Sequence, residues 1–319
     1  MKKIFITGLN GLLATNLSND LLENGFLVKG LIRNKLKFKG HNHKNLALIQ
    51  GDLFDDLTPH LNGIDIVIHA AAETNQNLIN YADYCKTNCN TTIQLLNTAI
   101  ECHVKKFIYI STSSTLGYGS INNLGTEQQK IRFPFNNSLY TKSKLEAENY
   151  LLQNTDKIEV IIINPSFMLG AYDSKPSSGK IILMAWKKKI VFYPSGGKNF
   201  VHVKDACTGI INSLEKGKNG EKYLIANENL TYAEFFKKLN HLTNQNPIMI
   251  KIPKQLLITL GYFGDFLRLL HIKTSISSVN MKILCVKNFY SNDKSITALN
   301  IKYQPVDFAI KDAIDYFQK

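Results

Sequence analysis

Tyr140 and Lys144 stand four positions apart in Tyr140-Thr141-Lys142-Ser143-Lys144, so on a helix the phenol and one ammonium share a face. A tyrosine so placed is a candidate proton donor or acceptor. Its ordinary pKa of ~10 is too high for easy exchange at neutral pH, and bringing it to about 7 takes ~4 kcal/mol of preferential phenolate stabilisation. One exposed ion pair does not supply that much. In a water-poor cleft, Lys144 and a second positive group together could. Upstream, Ile110-Ser111-Thr112-Ser113-Ser114 gathers hydroxyls able to hold and orient a substrate oxygen near the phenol.

A second constellation opens the chain. Thr7-Gly8-Leu9-Asn10-Gly11-Leu12-Leu13-Ala14 follows an apolar run and precedes a helical pattern. Glycines there permit a tight turn and close backbone approach to a pyrophosphate, which the free N–H groups and dipole of a helix start attract. This predicts a dinucleotide. The second apolar run ends Ile32-Arg33-Asn34-Lys35 without the acid that would bond a ribose 2′-hydroxyl, and Arg33 can pair with a 2′-phosphate. NADP(H) is therefore preferred and NAD(H) is the alternative. Asp52 and Leu53, after the third run, are placed at the adenine, and the small residues Ala70, Ala71 and Ala72, after the fourth, leave room beside the cofactor. His69 reads as a packed strand-end histidine. A bound, oxidised nicotinamide would be the second positive group that Tyr140 needs.

The elements that must position these residues alternate. Apolar bursts at Ile4–Ile6, Leu27–Ile32, Leu46–Ile49, Ile64–His69, Lys106–Ile110 and Val160–Ile163 have the Ile, Val and Phe content of strands buried on both faces. Helical patterns at Leu12–Asn24, Asn75–Cys102 and Leu139–Gln153 separate them. The expected fold is an α/β, Rossmann-type doubly wound parallel sheet with a smaller, mostly helical substrate lobe. Residues 1–165 form the nucleotide-binding domain, 198–230 return to it, and 166–197 with 231–319 form the lobe. Within that second half, Ile181–Lys188, Lys204–Lys216 and most of 231–319 read as helical, and Tyr223–Ala226 and Ile248–Ile252 as strands. Gln255–Leu270 is strongly apolar, interrupted by Asp265 and Arg268. It is expected to pack on the lobe, with contact to a membrane surface as the alternative.

Composition narrows the classes. With 319 residues, 44% of them hydrophobic and 20% charged, the chain suits a folded globular protein. The net charge of +13 is nearly all scattered lysine, with arginine only at positions 33, 132 and 268, so no nucleic-acid reader is expected. The five cysteines show no CxxC pair, which suggests reduced thiols and a cytoplasmic setting. Cys85 and Cys89 read as packed thiols, and no metal site is expected. No run reaches the ~18 apolar residues of a spanning helix.

Glycine loop, Asp52, serine cluster and YxxxK, each after the appropriate strand, resemble the short-chain dehydrogenase/reductase superfamily across nearly the whole chain. The closer resemblance is to its extended branch, the NAD-dependent epimerase/dehydratase family. It implies a catalytic set of Ser113, Tyr140 and Lys144. It also implies cofactor contacts from Asn88, in a segment where Thr91 replaces the family's glycine, and from Pro165, Ser166 and Phe167 in Asn164-Pro165-Ser166-Phe167, the nicotinamide segment. The Asn-Pro-Ser wording, with Arg33, is most similar to the dihydroflavonol-reductase-like group and the sugar-epimerase-like proteins near it. Phe200-Val201-His202-Val203-Lys204-Asp205 resembles a later family marker, with His202 and Asp205 as structural residues joining the lobes. The family's dehydratases carry Thr-Asp-Glu near Ser113-Ser114-Thr115; no acid occurs there, which disfavours dehydration. Many nucleotide-sugar enzymes carry an arginine just before this marker; this chain has Gly197-Lys198-Asn199, which weakens that substrate class.

The expected function is NADPH-dependent reduction of a ketone or aldehyde, or the reverse alcohol oxidation. A nucleotide-sugar epimerase with tightly held cofactor is the alternative, and a non-catalytic NADP(H) sensor a third class. A greasy cover over residues 254–290 would suit an apolar carbonyl. The resemblance also implies a homodimer through Asn75–Cys102 and Leu139–Gln153.

Overall fold

Six strands come first in the structure, a computed structural model that describes residues 1–319: β1 (Lys3–Thr7), β2 (Leu27–Ile32), β3 (Leu46–Gln50), β4 (Ile66–His69), β5 (Lys106–Ile110) and β6 (Glu159–Pro165). Between them run helices α1 (Leu12–Glu23), α2 (Thr58–Leu61), α3 (Tyr81–Cys85), α4 (Thr91–Glu101) and α5 (Leu139–Leu152). Side chains alternate across the sheet and sort into two cores. Ile4, Ile6, Ile108, Ile110, Ile161 and Ile163 join Leu13, Leu17 and Leu21 of α1. On the other face Phe5, Phe107, Tyr109, Val160 and Ile162 join Leu95 and Leu96 of α4 and Ala147 and Leu151 of α5. Each large apolar side chain so buried contributes roughly 1.5–3 kcal/mol.

The later elements are β7 (Phe167–Leu169), α6 (Lys180–Leu183), β8 (Ile190–Tyr193), β9 (Gly197–His202), α7 (Val203–Lys216), β10 (Lys222–Ile225), β11 (Glu228–Thr231), α8 (Tyr232–Leu242) and β12 (Ile248–Lys251). The chain ends with α9 (Lys254–Leu269), α10 (Ser278–Cys285), β13 (Lys287–Asn288), α11 (Asp293–Leu299) and α12 (Val306–Gln318). The main sheet has seven parallel strands in the order β10-β6-β5-β4-β1-β2-β3. This is an α/β Rossmann-type sheet, as expected. Strand order reverses between β1 and β4, and such a switch point opens a crevice at the strands' carboxyl ends. A third core, built on Phe200, Tyr232, Phe235, Val306 and Ile310, holds β9, α8 and α12 together. No helix is long and apolar enough to cross a membrane.

Four expectations need correction. Strand β3 is only half-buried, because it is an edge strand. The helix expected from Asn75 begins at Tyr81 and passes through a π-helical turn at Lys86–Asn90. Ahead of it the side chains of Glu73, Asn75 and Gln76 bond nearby backbone groups, a local alternative to helix. The helix expected over Ile181–Lys188 stops at Leu183, and Gln245 brackets the turns beyond it by accepting from Lys187 N–H at 2.8 Å and donating to the Ala185 carbonyl at 2.9 Å. Finally, α9 does pack on the lobe, against the segment before and at the start of α10, but through Leu257, Gly261 and Gly264, its only buried residues, and leaves most of its apolar side chains uncovered.

Candidate active site

The glycine loop lies in the crevice at the switch point. Gly8 has φ +75°, and a Cβ there would stand 2.8 Å from both the Cα and the N of Ala71. The Ala70–Ala72 segment after β4 therefore lies directly against the loop after β1. Gly11 caps α1 without a side-chain hydrogen bond, and the first turn carries no acid, so its N–H groups remain available to an anion. The side-chain oxygen of Asn10 is buried without a partner. The close turn and the free N–H groups fit a dinucleotide pyrophosphate, while the Asn10 oxygen, an acceptor, is left for a donor such as a ribose hydroxyl. Leu13 is buried in the first core while Leu12 packs at its edge. Arg33 is exposed just past the end of β2. Asp52 is half-exposed and accepts from the Phe54 N–H, and Leu53 packs on the second core. Gly8→Ala is expected to cost ~1–3 kcal/mol through left-handed backbone strain and contact with Ala71, and to weaken cofactor binding. Urea unfolding and fluorescence titration with NADPH would measure both effects.

Thr7 and His69 end adjacent strands and bond each other at 2.7 Å, and His69 reaches Thr92 on its other side at 3.0 Å. Burial drives the imidazole pKa down to about 3, with the Lys144 charge adding to it. His69 is a packed neutral histidine, as its sequence context indicated.

Ser113, Tyr140 and Lys144 come from two neighbouring elements. Ser113 opens a 3₁₀ turn at Ser113–Thr115, just beyond β5. Tyr140 and Lys144 lie one turn apart on α5, whose start is capped by the Ser138 hydroxyl. The Ser111 and Thr115 hydroxyls both bond Glu148, and those of Thr112 and Ser114 bond each other at 2.9 Å. That leaves the Ser113 hydroxyl for a substrate oxygen, with Tyr290 behind it donating to the Ser113 carbonyl at 3.0 Å. Lys144 is 1% exposed; its ammonium donates to the Ile110 carbonyl at 2.7 Å and lies 4.0 Å from the centre of the Tyr109 ring.

The electrostatics depart from the expected acidified phenol. Burial pushes the Tyr140 pKa up to about 12; the Thr112 hydroxyl opposes the rise, while Tyr84 and Glu148 add to it. Burial also draws Lys144 down to about 7, against the pull of Glu148. The physical reason is that desolvation disfavours each charged form and that the ammonium is directed at a backbone carbonyl.

Sequence reasoning missed Glu148. It is wholly buried and accepts from Ser111, Thr115 at 2.7 Å and Asn164 at 2.9 Å, and it pairs with Lys222 of β10. The carboxylate thus ties the ends of β5 and β6 and the first residue of β10 to α5. Tyr140, Lys144 and Glu148 form an i, i+4, i+8 series, the signal that could have found it.

Asn88 lies in the π-helical turn, where its amide accepts from Glu73 N–H at 2.7 Å and donates to the Glu73 carbonyl and the Ser143 hydroxyl, both at 3.0 Å. It fastens the segment after β4 to α5. Past Pro165, the Ser166 hydroxyl donates to Asn199 at 2.6 Å, and Phe167 meets Phe200 edge to face. Lys198 lies 5.0 Å from the centre of the Phe167 ring without an anionic partner, and burial lowers its pKa to about 8. His202 bonds Asp312 of α12 at 3.3 Å, and Asp205 accepts from Gln304 N–H at 3.2 Å, so both tie α7 and its approach to the C-terminal segment. Tyr140 lines a cleft of about 230 Å³ with Tyr84, Asp265, Arg268 and Ser277.

A parallel sheet with a glycine loop at its switch point, and a tyrosine and lysine one turn apart on one helix, defines a dinucleotide-binding enzyme fold. Residues 4–226 match the model of the NAD dependent epimerase/dehydratase family, and the chain belongs to that family. It is 25% identical to a putative dihydroflavonol 4-reductase of Synechocystis, with 98% of this chain and 94% of that protein covered. It is 28% identical to the decarboxylating sterol-4-alpha-carboxylate 3-dehydrogenase of Dictyostelium discoideum, covering 79% of this chain and 81% of that one. Among solved structures, gox2253 superposes with a TM-score of 0.85 at 27% identity, covering 100% and 98% of the two chains. The UDP-glucuronic acid 4-epimerase of Bacillus cereus, solved with UDP-glucuronic acid and NAD, shares the fold with a TM-score of 0.79 at 21% identity and 99% coverage of both chains. The chain is thus an NAD(P)-dependent enzyme of a family that spans reductases, dehydrogenases and epimerases.

Proposed function

We propose that this protein is an NADP(H)-dependent oxidoreductase that reduces a ketone or aldehyde, or runs the reverse alcohol oxidation, through Ser113, Tyr140 and Lys144. The observation that carries the reading is the convergence of an uncommitted Ser113 hydroxyl, a protonated phenol and a buried ammonium at one sheet edge, beside an uncapped helix start. When bound, the nicotinamide supplies the hydride chemistry. Ser113 orients the carbonyl oxygen. Tyr140, kept protonated by burial, donates its proton to that oxygen as negative charge develops there. Lys144, one turn along α5 from Tyr140 and held by the Ile110 carbonyl, is the cation of the set. Thr7, Gly8, Asn10, Gly11, Leu12 and Leu13 hold the pyrophosphate end, Asp52 and Leu53 the adenine, and Ala70–Ala72, Asn88 and Pro165–Phe167 the nicotinamide end. The test is NADPH consumption by purified protein across a panel of carbonyl compounds and nucleotide sugars; turnover with no member of the first group would overturn the reading.

The preference for the 2′-phosphorylated cofactor rests on Arg33. Charge-assisted hydrogen bonds contribute ~1.5–3 kcal/mol, so Arg33→Asp is expected to weaken NADPH binding roughly 10- to 100-fold while sparing NADH. Titration of both cofactors checks it; an unchanged affinity ratio would remove Arg33 from cofactor selection, and tighter binding of NADH than NADPH by the wild type would overturn the preference.

Lys198 favours a second reading. A half-buried cation without an anionic partner, near the Phe167 ring, suits the phosphate of a nucleotide sugar, and the same triad could then serve an epimerase. Conversion of a nucleotide sugar with no net cofactor consumption would establish that reading in place of the first.

A further inference from the structure

Helix α9 is inside out. Two of its three charged residues turn inward: Asp265 accepts from the Ser278 N–H at 3.1 Å, and Arg268 donates to the carbonyls of Thr274 and Gln76, each at 2.7 Å, while Lys254 at its start is exposed. Most of its large apolar residues turn outward, Leu257 excepted. Leu256, Leu260, Phe263 and Leu270 follow the i, i+4, i+7 spacing of one stripe and are 51%, 43%, 58% and 56% exposed, with Phe266 and Leu269 beside them at 56% and 78%. The glycines explain the orientation. A Cβ on Gly261 would meet the Ser278 Cα at 2.7 Å, and one on Gly264 would collide with the Ile276 carbonyl. Only a glycine face lets α9 lie flat on that segment, so the opposite, apolar face points away from the protein. Just upstream in the chain, Ile248 and Ile250 pair in register with Ile190 and Phe192, and all four are exposed.

We propose that α9 docks this protein on an anionic lipid bilayer, lying in the interface without spanning it. Charge selects this occupant. Within residues 248–273 the exposed lysines are Lys251, Lys254 and Lys273, and the one acid, Asp265, is turned inward. A second copy packed on the same face would set lysines against lysines with no exposed acid to pair them. Anionic headgroups neutralise those lysines while acyl chains take the leucine and phenylalanine side chains, the arrangement of an interfacial amphipathic helix. The same helix walls the cleft with Tyr140 through Asp265 and Arg268, which places that cleft next to the bilayer. If the Tyr140 reading of the preceding section holds, the substrate class is then an amphiphile resident in the membrane. Vesicle docking itself does not depend on that reading.

Flotation with vesicles of mixed phosphatidylglycerol and phosphatidylcholine tests the proposal on the full-length protein. The protein is expected to float with the anionic vesicles and at least tenfold less with pure phosphatidylcholine or in high salt. Leu260→Glu combined with Phe263→Glu is expected to lower flotation at least tenfold, with unfolding midpoint and NADPH binding unchanged. Lys251→Glu with Lys254→Glu provides a second variant that leaves the apolar stripe intact and is also expected to reduce flotation. Absence of flotation by the wild type, or undiminished flotation by both variants, would overturn docking. So would a non-floating dimer that the Leu260 and Phe263 changes split, since a second copy would then cover the face. Vesicle binding without any NADPH turnover would instead count against the oxidoreductase reading alone.

Discussion

Tyr140→Phe is expected to lower turnover by ~10²–10⁴-fold while NADPH affinity stays close to that of the wild type. The change removes one hydroxyl and keeps the ring, so the edge-to-face contact with Tyr84, with centroids 6.4 Å apart, survives. No strand or core residue loses a partner, and stability is expected to hold. Proton donation is what disappears. The elevated phenol pKa sets the direction of the pH profile: the donor is fully protonated at neutral pH, so the reduction rate does not fall through loss of this proton until the pH nears about 12. The oxidation direction needs the deprotonated phenol and is expected to accelerate as pH rises. Stopped-flow measurement of reduction, with equilibrium titration of cofactor, separates chemistry from binding. A variant that keeps full turnover would remove Tyr140 from the chemistry.

Glu148→Ala is the second large expected effect, and it acts on the fold. The carboxylate pairs with Lys222, whose side chain is 20% exposed, and accepts from Ser111, Thr115 and Asn164 in the closed interior. Removing one partner of a buried ion pair leaves the other charge uncompensated, a loss of about 3–5 kcal/mol. Against a typical stability of about 5–15 kcal/mol this is a severe change. Activity is expected to fall with it, because Ser111 loses its anchor two residues before Ser113. Glu148→Gln keeps an acceptor of the same shape and is expected to cost less. Chemical denaturation of both variants checks the order; equal, small losses would mean that the network is not needed to hold the strand ends.

Much of the sheet was legible because fully buried parallel strands are continuous apolar runs. Leu27–Ile32 and Lys106–Ile110 match their observed bounds, and α5 starts at the expected Leu139. The small strands β7, β8, β9, β11 and β13 were not read, since runs of two to six residues carry little periodic signal, whether apolar as in β7 and β8 or mixed as in β9 and β11. Ser113, Tyr140 and Lys144 were found from type and spacing; their protonation was not, because it depends on how much water the fold removes. Glu148 escaped for a related reason. A glutamate on a polar helix reads as a surface residue until Asn164 and Lys222, distant in sequence, arrive beside it. The outward turn of α9 has the same origin: periodicity finds the apolar stripe, but only the segment lying against Gly261 and Gly264 decides which way it faces.

Strand β10 completes the main sheet beside β6, although 60 positions separate the paired residues, as in Lys222↔Ile162 and Ile225↔Pro165. During synthesis the backbone groups along that side of β6 have no neighbour until Ile225 has emerged from the ribosome, at least several seconds after Pro165 at ~5–20 residues per second. Throughout that interval an open β edge is offered to other nascent chains. The position of one four-residue strand therefore decides how long that side of the sheet stays open on the growing polypeptide.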